Sequence, residues 1–485
     1  MTLNVKSPRA EPADKSGFGT RFALILIALL WTAELNGLVS VLGSNAQAQV
    51  AVHYHTTQIV WFTQVGSLVG VFTTPFAVKL AGMFGKRRAL IAVTALGLIG
   101  DLISACSTDY TTLLIGRGIA GAYVPAAALV YALTRDVFPR RLVGPASGFL
   151  AGGIGLLALG GPFLSGWLLD SHGFRGVLWF MAIASAVSLL ALLFVPESSV
   201  REPRTRIDWI GGILLGGGLA SVIYGIGNGS HWGWTSGQTL AWVIGGGVAV
   251  LLFLWVETKV AHPIFPLAIL GRRRVWTTLV VTAIVIGGVY AQGTVLSLLQ
   301  LMPSIPHISD GLGWSATKSA WVGAPSSVLI VIMAVLTGLL VRRVDSRLLL
   351  GASGILMAVG ISLIALFHHS VPQMMFLSLV GSVGTGIVVA LIPLMIIESV
   401  AAEEQALGNG AQNLIQGVVV AIVTQASFAL VAQHDNVLQG TSFYVDNSYR
   451  NALLLFAAVV LCGTLLSVLI PKGRRIDQLE AERTV

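Results

Sequence analysis

Fourteen apolar runs divide this chain, near residues 20–43, 57–81, 89–106, 111–134, 144–169, 175–195, 208–227, 238–258, 275–301, 316–341, 348–367, 372–397, 407–433 and 450–470. Most are around twenty residues and uninterrupted, the length a helix needs to cross a hydrocarbon layer about 30 Å thick. A membrane barrel would instead show weak alternating segments of about ten residues. No water reaches backbone groups in lipid, so each run must satisfy its own hydrogen bonds as a helix. Only 10% of the residues are charged, against about 25% in soluble domains. The expected fold class is therefore an all-α integral membrane protein. The first run is too long for a signal-peptide core and lacks a clear cleavage site, so it is expected to remain as helix 1.

Loop charges set the orientation. Lys6, Arg9 and Lys15 precede helix 1, and Lys86, Arg87 and Arg88 follow helix 2. Arg135, Arg140 and Arg141 follow helix 4, and Arg201, Arg204 and Arg206 follow helix 6. Lys259, Arg272, Arg273 and Arg274, then Arg342, Arg343 and Arg347, occupy later even loops, and Lys472, Arg474, Arg475 and Arg483 close the chain. Arg175 and Arg450 are the exceptions in odd loops, and the even loop 398–407 carries Glu398, Glu403 and Glu404 with no base. Bases are retained in the cytoplasm, so both termini are expected inside. This pattern accounts for the net charge of +8, and no nucleic-acid partner is expected. His53, His55, His172, His231, His307, His368, His369 and His434 then lie outside, and His262 inside. No metal is expected, because His368–His369 lacks neighbouring acids or cysteines. Cys106 and Cys462 read as small packing residues without a disulfide.

There is no Walker A sequence and no H-E-x-x-H. The longest non-apolar segments run only about 15–20 residues, so ATP-driven transport by this chain alone is excluded. No enzyme activity and no cofactor are expected.

Three ionisable residues lie deep in the apolar runs: Glu34, Asp101 and Arg117. Counting about 1.5 Å per residue from the segment ends places all three in one layer, somewhat outside the midplane. Each charge there costs a few kcal/mol unless paired. A carboxyl group in a low dielectric holds its proton more tightly unless a cation stabilises the anion, so it can exchange that proton as its surroundings change. Glu34, with Asp101, is the candidate for proton coupling. Arg117 is expected to orient its neighbours, since guanidinium does not readily deprotonate. The alternative is a static ion pair bracing helices 1, 3 and 4. Asn36, Gln64, Gln292, Asn413 and Gln416 also lie within the runs, as cavity lining or as interhelical hydrogen bonds.

Several stretches resemble the major facilitator superfamily, in particular its fourteen-helix drug:proton antiporter branch. "PFAVKLAGMFGKRRAL" (75–90) is similar to the family's loop 2–3 signature through Leu80, Gly85, Lys86, Arg87 and Arg88. Val78, Gly82 and Met83 depart from it. "LLIGRGIAGAYVP" (113–125) resembles the helix 4 signature through Arg117 and Gly121. "GFLAGGIGLLALGGPFLSG" (148–166) resembles the helix 5 antiporter signature; Gly148, Gly161, Pro162 and Gly166 match, while Leu157 and Ser165 depart. "AELNGLV" (33–39) puts Glu34 in that branch's acidic place in helix 1, and 206–234 with 256–270 read like the inserted helices 7 and 8.

The resemblance implies a cytoplasmic tail 1–19, a six-helix bundle over 20–196, two peripheral inserted helices with their loops over 197–274, a second bundle over 275–471 and a tail 472–485. The bundles would rock about a central cavity. "GLLVRRVDSRLL" (338–349) would be the second-half counterpart of the loop 2–3 motif. Gly82 replaces the aspartate of the family's charge lock, so the lock would be weaker or built from other groups, such as Asp136 with the bases 86–88. The implied activity is proton-coupled export of small amphipathic or drug-like compounds across the plasma membrane, the inner membrane of a bacterium, by a monomer embedded in the lipid bilayer. The alternatives are export of an endogenous metabolite, lipid, siderophore or antibiotic, and, from another class, a membrane sensor or enzyme.

Overall fold

The computed structural model describes residues 19–198, 200, 208–260, 270–341, 343–400 and 405–471. Both expected tails, the loop bases Arg201, Arg204 and Arg206, and His262, Arg342, Glu403 and Glu404 lie outside the described residues.

The first bundle holds α1 (Thr20–His53), α2 (Val60–Phe84), α3 (Lys86–Ala105), α4 (Tyr110–Ala120), α5 (Ala126–Val137) and α6 (Arg140–Leu192). α4 and α5 are one membrane crossing, interrupted by a 3-10 turn at Gly121–Tyr123 and by Pro125. Proline has no N–H to continue the ladder and clashes with the preceding turn. α6 is two crossings. Its 53 residues would extend about 80 Å as one helix, far beyond a bilayer. The break is at Gly173, with φ 65° and ψ −173°, a conformation that glycine adopts without a steric penalty. The first half of α6 passes Leu30 and Glu34 at Gly153 and reaches Thr317 at Gly166. The second half returns past Trp31, whose Nε1 donates to Ala184 O at 3.0 Å, and brings Leu192 O to Arg87 Nε at 2.9 Å.

Two helices follow, α7 (Trp209–Trp232) and α8 (Gly237–Glu257). The second bundle holds α9 (Arg273–Leu301), α10 (Ala316–Leu340), α11 (Ser346–Leu366), α12 (Val371–Ser399), α13 (Gln405–Val431) and α14 (Asp446–Leu466). Thirteen helices among the described residues are long and apolar enough to span a membrane. One of them crosses twice, so the crossings number fourteen, in accord with the fourteen apolar runs.

The molecule has a basic end, where α1 begins and the 86–88 bases sit, and a histidine end, where α1 stops at His53. Two antiparallel hairpins cap the histidine end. β1 (Ser304–Ile305) pairs with β2 (Ser309–Asp310), and β3 (Asp435–Leu438) pairs with β4 (Thr441–Tyr444).

Hydrogen bonds between the bundles gather at the histidine end. Asn45 Nδ2 donates to Ser165 Oγ at 3.1 Å, and Ser297 Oγ donates to Asn45 Oδ1 at 2.9 Å. Gln47 Nε2 donates to Thr294 O at 2.5 Å. The Asp170 carboxylate accepts the N–H groups of Ala316 at 3.0 Å and Thr317 at 2.9 Å, satisfying the first turn of α10. At Gly166 the α6 backbone comes so close that an added Cβ would lie 2.8 Å from Thr317 Cα.

These bonds correct the end of helix 1. Sequence places it near residue 43, where "SNAQAQ" turns polar, but α1 continues ten residues to His53. The polar side chains do not end the helix, because they find partners on α6 and α9.

The inserted pair is also only half as expected. α8 lies at the periphery, with Leu251 and Trp255 exposed. α7 instead seats against both bundles: Trp209 stacks on Phe76 of α2 at 5.2 Å, and Gly227 lies against Trp61 of α2 and Gln425 of α13. Its glycines make that approach feasible, as small residues do between membrane helices. Cys106 and Cys462 are free thiols, exposed and not packed inside.

Candidate functional site

Asp101 and Arg117 form a closed unit. Asp101 is 0% and Arg117 7% exposed. Arg117 Nη1 lies 3.4 Å from Asp101 Oδ1, and Ser185 Oγ donates to Asp101 Oδ2 at 2.6 Å. Tyr123, fully buried, bonds to the same carboxylate. Arg117 also reaches Met181 Sδ at 3.4 Å and sits 5.6 Å from the centre of the Phe62 ring, within range of a cation–π attraction. The helices close tightly around this unit. A Cβ on Gly100 would lie 2.2 Å from Ala120 N, and one on Gly121 would lie 2.2 Å from Gly66 O. Gly121, matched from the helix 4 signature, serves that approach.

Glu34 is elsewhere. The Arg117 guanidinium is level with Gly43, where an added Cβ would be 3.9 Å from Nη2. Glu34 is nine residues earlier on α1, or about 13 Å along the helix axis. The expected single layer is therefore two layers, and Glu34 does not hold Arg117. Depth arithmetic misplaced it because helices begin and tilt independently. Glu34 is half-buried, and no hydrogen bond or ion pair among the described residues engages its carboxylate. It lies against Gly153 of α6, where an added Cβ would meet Leu30 Cδ1 at 2.4 Å and Glu34 Oε1 at 3.0 Å. Tyr131 of α5 is within electrostatic reach. Gly153 was missed by sequence reasoning, although it sits inside the 148–166 stretch. The doubled "GG" of that stretch was the available signal.

The matched residues of that stretch divide by role. Gly161 admits Val41 of α1, with an added Cβ 3.5 Å from Val41 Cγ1, and Gly166 admits α10. Pro162 lies within α6. Gly148, like Gly144 and Gly152, has nothing within 4 Å of an added Cβ, so this face of α6 is open near the basic end. Ser165, a departure from the signature, supplies the acceptor for Asn45.

Among the polar candidates, Gln64 of α2 is buried with Oε1 unpartnered, and Gln292 of α9 is buried. Asn36 and Gln416 are half-buried. Asn413 is exposed on a stripe of α13 flanked by Gly410 and Gly417, both facing open space. No hydrogen bond joins the five into one cluster. Sequence reasoning missed Gln412 and Gln425 of α13. Thr282 Oγ1 donates to Gln412 Oε1 at 3.1 Å, while both amide atoms of buried Gln425 lack partners among the described residues.

At the basic end, Lys86 pairs with Asp136, which also accepts from Ser198 Oγ. Asp136 thus meets one of the bases 86–88, the pairing that the sequence suggested. Glu197, which sequence reasoning did not single out, completes it by accepting the backbone N–H groups of Arg87 at 2.9 Å and Arg88 at 3.1 Å. Arg87 Nη2 donates to Leu193 O at 2.7 Å, while no hydrogen bond or ion pair engages the Arg88 side chain among the described residues. Gly85, with φ 117°, leaves room for the Glu197 carboxylate, which an added Cβ would meet at 2.8 Å. The second bundle repeats the device. Asp345 accepts Arg347 N–H at 2.8 Å at the start of α11, and Glu398 accepts from Ser346 at 3.1 Å and lies 3.8 Å from Arg274. At the histidine end, His368 Nε2 lies 2.8 Å from Asp446 Oδ1. The expectation that His368–His369 has no acid company is thereby corrected, since folding brings the acid from α14.

Comparison with known proteins places this architecture. The Major Facilitator Superfamily profile matches residues 17–424 and 295–483. The chain is 30% identical over 297 residues to a uridine/deoxyuridine transporter of Lactococcus lactis subsp. cremoris, covering 58% of this chain and 60% of that protein. It is 26% identical over 483 residues to the multidrug transporter mfsC of Aspergillus fumigatus, covering 95% of this chain and 89% of that one. It is 24% identical over 338 residues to the multidrug resistance protein Stp of Mycobacterium tuberculosis, covering 69% and 61%. For several curated relatives that the chain matches, the matched stretch is only 48% to 60% of their length. A POT family transporter solved with 5-aminolevulinic acid superposes with a TM-score of 0.67 at 14% identity, covering 94% of this chain and 97% of that one. With fourteen crossings in two bundles, a basic-end charge clasp and a family match over nearly its whole length, the chain belongs to the major facilitator superfamily of multi-pass membrane transporters for small molecules.

Proposed function

We propose that this chain is a proton-coupled exporter of small amphipathic or drug-like compounds in a bacterial plasma membrane, acting as a monomer with both termini in the cytoplasm. The observation that carries this reading is the contrast between two carboxylates. Asp101 is closed off by Arg117, Ser185 and Tyr123, whereas Glu34 is half-buried, unpaired and beside the open face of α6. Intramembrane carboxylates are expensive, and one without a partner has a use that offsets the cost. A proton taken up by Glu34 from outside neutralises it, and the bundles then reorient. Substrate arriving from inside competes with that proton, and a cationic substrate favours the bare carboxylate directly, which couples the two fluxes. The inter-bundle bonds at the histidine end support a state closed to the outside and open to the cytoplasm.

Proteoliposomes with an imposed pH gradient test this. Substrate-dependent proton flux is expected and should be lost in Glu34→Gln; gradient-driven transport at the wild-type rate in that variant would remove Glu34 from the mechanism. A second reading, transport of a polar endogenous compound such as a nucleoside, is favoured by the uridine/deoxyuridine relative and by the buried amides of α9 and α13. Competition between uridine and a lipophilic cation for transport separates the two.

A further inference from the structure

The turn between α11 and α12 and the first turn of α14 bring three potential metal ligands together at the histidine end. Ligand atoms of His368, His369 and Asp446 all lie within 4.8 Å of one another. The rings of the two histidines are 4.6 Å apart. His368 is 1% exposed, so its imidazole is committed to this place in the fold.

The tautomer follows from its neighbours. Nδ1 lies 2.9 Å from Ile364 O. A carbonyl oxygen only accepts, so Nδ1 carries the hydrogen, which leaves Nε2 as the ring atom that can bind a proton or a metal ion. Nε2 faces the Asp446 carboxylate, with Oδ1 2.8 Å away. A carboxylate this close to Nε2 calls for a shared cation, either a proton on Nε2 or a metal ion held by both groups. An imidazole that donates Nδ1–H to a backbone carbonyl while its Nε2 faces a carboxylate is the arrangement that orients a histidine for metal binding. The backbone that carries this carboxylate is anchored, because Asp446 opens α14 and its N–H donates to Asp310 Oδ2 at 2.9 Å. His369 is exposed in the turn and can close on the same point.

We infer that His368 Nε2, His369 and the Asp446 carboxylate form a binding site for a divalent transition-metal ion of the zinc class. Two imidazole nitrogens and one carboxylate oxygen suit such an ion, at about 2.0–2.2 Å from each ligand. Ligands at that distance around a tetrahedral ion stand roughly 3.3 Å apart, so the present separations need only small side-chain rotations. A fourth position stays open to water. The bound ion ties the α11–α12 turn to α14 within one bundle, remote from Glu34, so the site does not depend on what the protein transports.

The test uses the full-length protein in detergent, with any affinity tag removed and metal stripped by a chelator. Titration with zinc, followed by calorimetry, is expected to show one site, and the cobalt form to show tetrahedral d–d absorption. His369→Ala, at an exposed position that leaves folding undisturbed, and Asp446→Asn should each weaken zinc binding at least about tenfold. Zinc should also raise the melting temperature of the wild type and not that of His369→Ala. Absence of zinc uptake by the wild type would overturn the proposal. Undiminished binding in both variants would equally overturn it, by placing the metal elsewhere.

Discussion

The interiors of the two bundles are built from different polar chemistry. The first bundle buries charge: Glu34, Asp101 and Arg117 all lie within its helices. In the second bundle the ionisable residues sit near helix ends, among them Arg274, Glu398, Asp345, His368 and Asp446. Apart from His368 at the histidine end, its buried polar side chains among the described residues are hydroxyls and amides, among them Thr282, Gln292, Gln412, Thr424 and Gln425. A carboxylate can bind and release a proton; an amide can only offer hydrogen bonds. Under the proposed function, this difference would put proton handling in the first bundle and recognition of polar groups in the second.

The largest effect that tests this division is at Asp101. Removing one partner of a buried ion pair leaves the other charge uncompensated and costs about 3–5 kcal/mol. Asp101→Asn is expected to lower the melting temperature in detergent far more than Glu34→Gln, which strands no partner. If the two variants melt alike, the separation of a bracing carboxylate from a working one fails. A change of opposite sign is expected across the molecule at Gln425. Both of its amide atoms are buried without partners among the described residues, and an unsatisfied buried polar group costs about 1–3 kcal/mol. Gln425→Leu should therefore melt at or above the wild-type temperature. Loss of transport without loss of stability would sharpen the comparison by making Gln425 a substrate contact. A clear fall in melting temperature would break it, by showing that the amide is satisfied in the folded protein.

What sequence revealed and concealed follows the same physical divide. The crossings were legible because each apolar run is a local quantity, and Lys86–Asp136 was legible because opposite charges at one membrane face are few. Glu197 was hidden by 110 residues of separation from Arg87, though an acid beside the bases 86–88 at the same face was the available signal. The separation of Glu34 from Arg117 was not legible at all. Counting rise per residue fixes depth along an ideal axis but not tilt, rotation or where a helix truly ends. Asn45 and Gln47 show the last point: polar side chains read as a loop when their partners on α6 and α9 are out of sight.

Gly153 offers a finer test of the first bundle. Its missing side chain makes room for Leu30 and Glu34. Gly153→Ala must displace Leu30 and press on the carboxylate, at a cost typical of overpacking, about 1–3 kcal/mol. The expected signature is a shifted pH profile of transport, whereas Gly148→Ala, facing open space, should leave that profile unchanged. Equal behaviour of the two variants would mean that the surroundings of Glu34 do not tune it.

The smallest expected effect concerns the clasps at the basic end, where the bundles are most alike. Lys86–Asp136 is partly exposed, with side chains 18% and 9% accessible, and pairs near the surface contribute at most about 1 kcal/mol. Lys86→Ala should hardly change the melting temperature. The clasp holds the start of α3 to the end of α5 in one conformation, however, and even 1 kcal/mol shifts a two-state balance about fivefold. Lys86→Ala and Asp136→Asn should therefore change turnover and leave apparent substrate affinity nearly constant. The reversed pair, Lys86→Asp with Asp136→Lys, should recover part of that turnover. The same reversal at Arg274 and Glu398 meets a longer separation of 3.8 Å, so its effect should be weaker still. If the second-bundle reversal has the greater effect on turnover, gating rests on the bundle without buried charge, and the division of labour drawn from the two interiors does not extend to the ends.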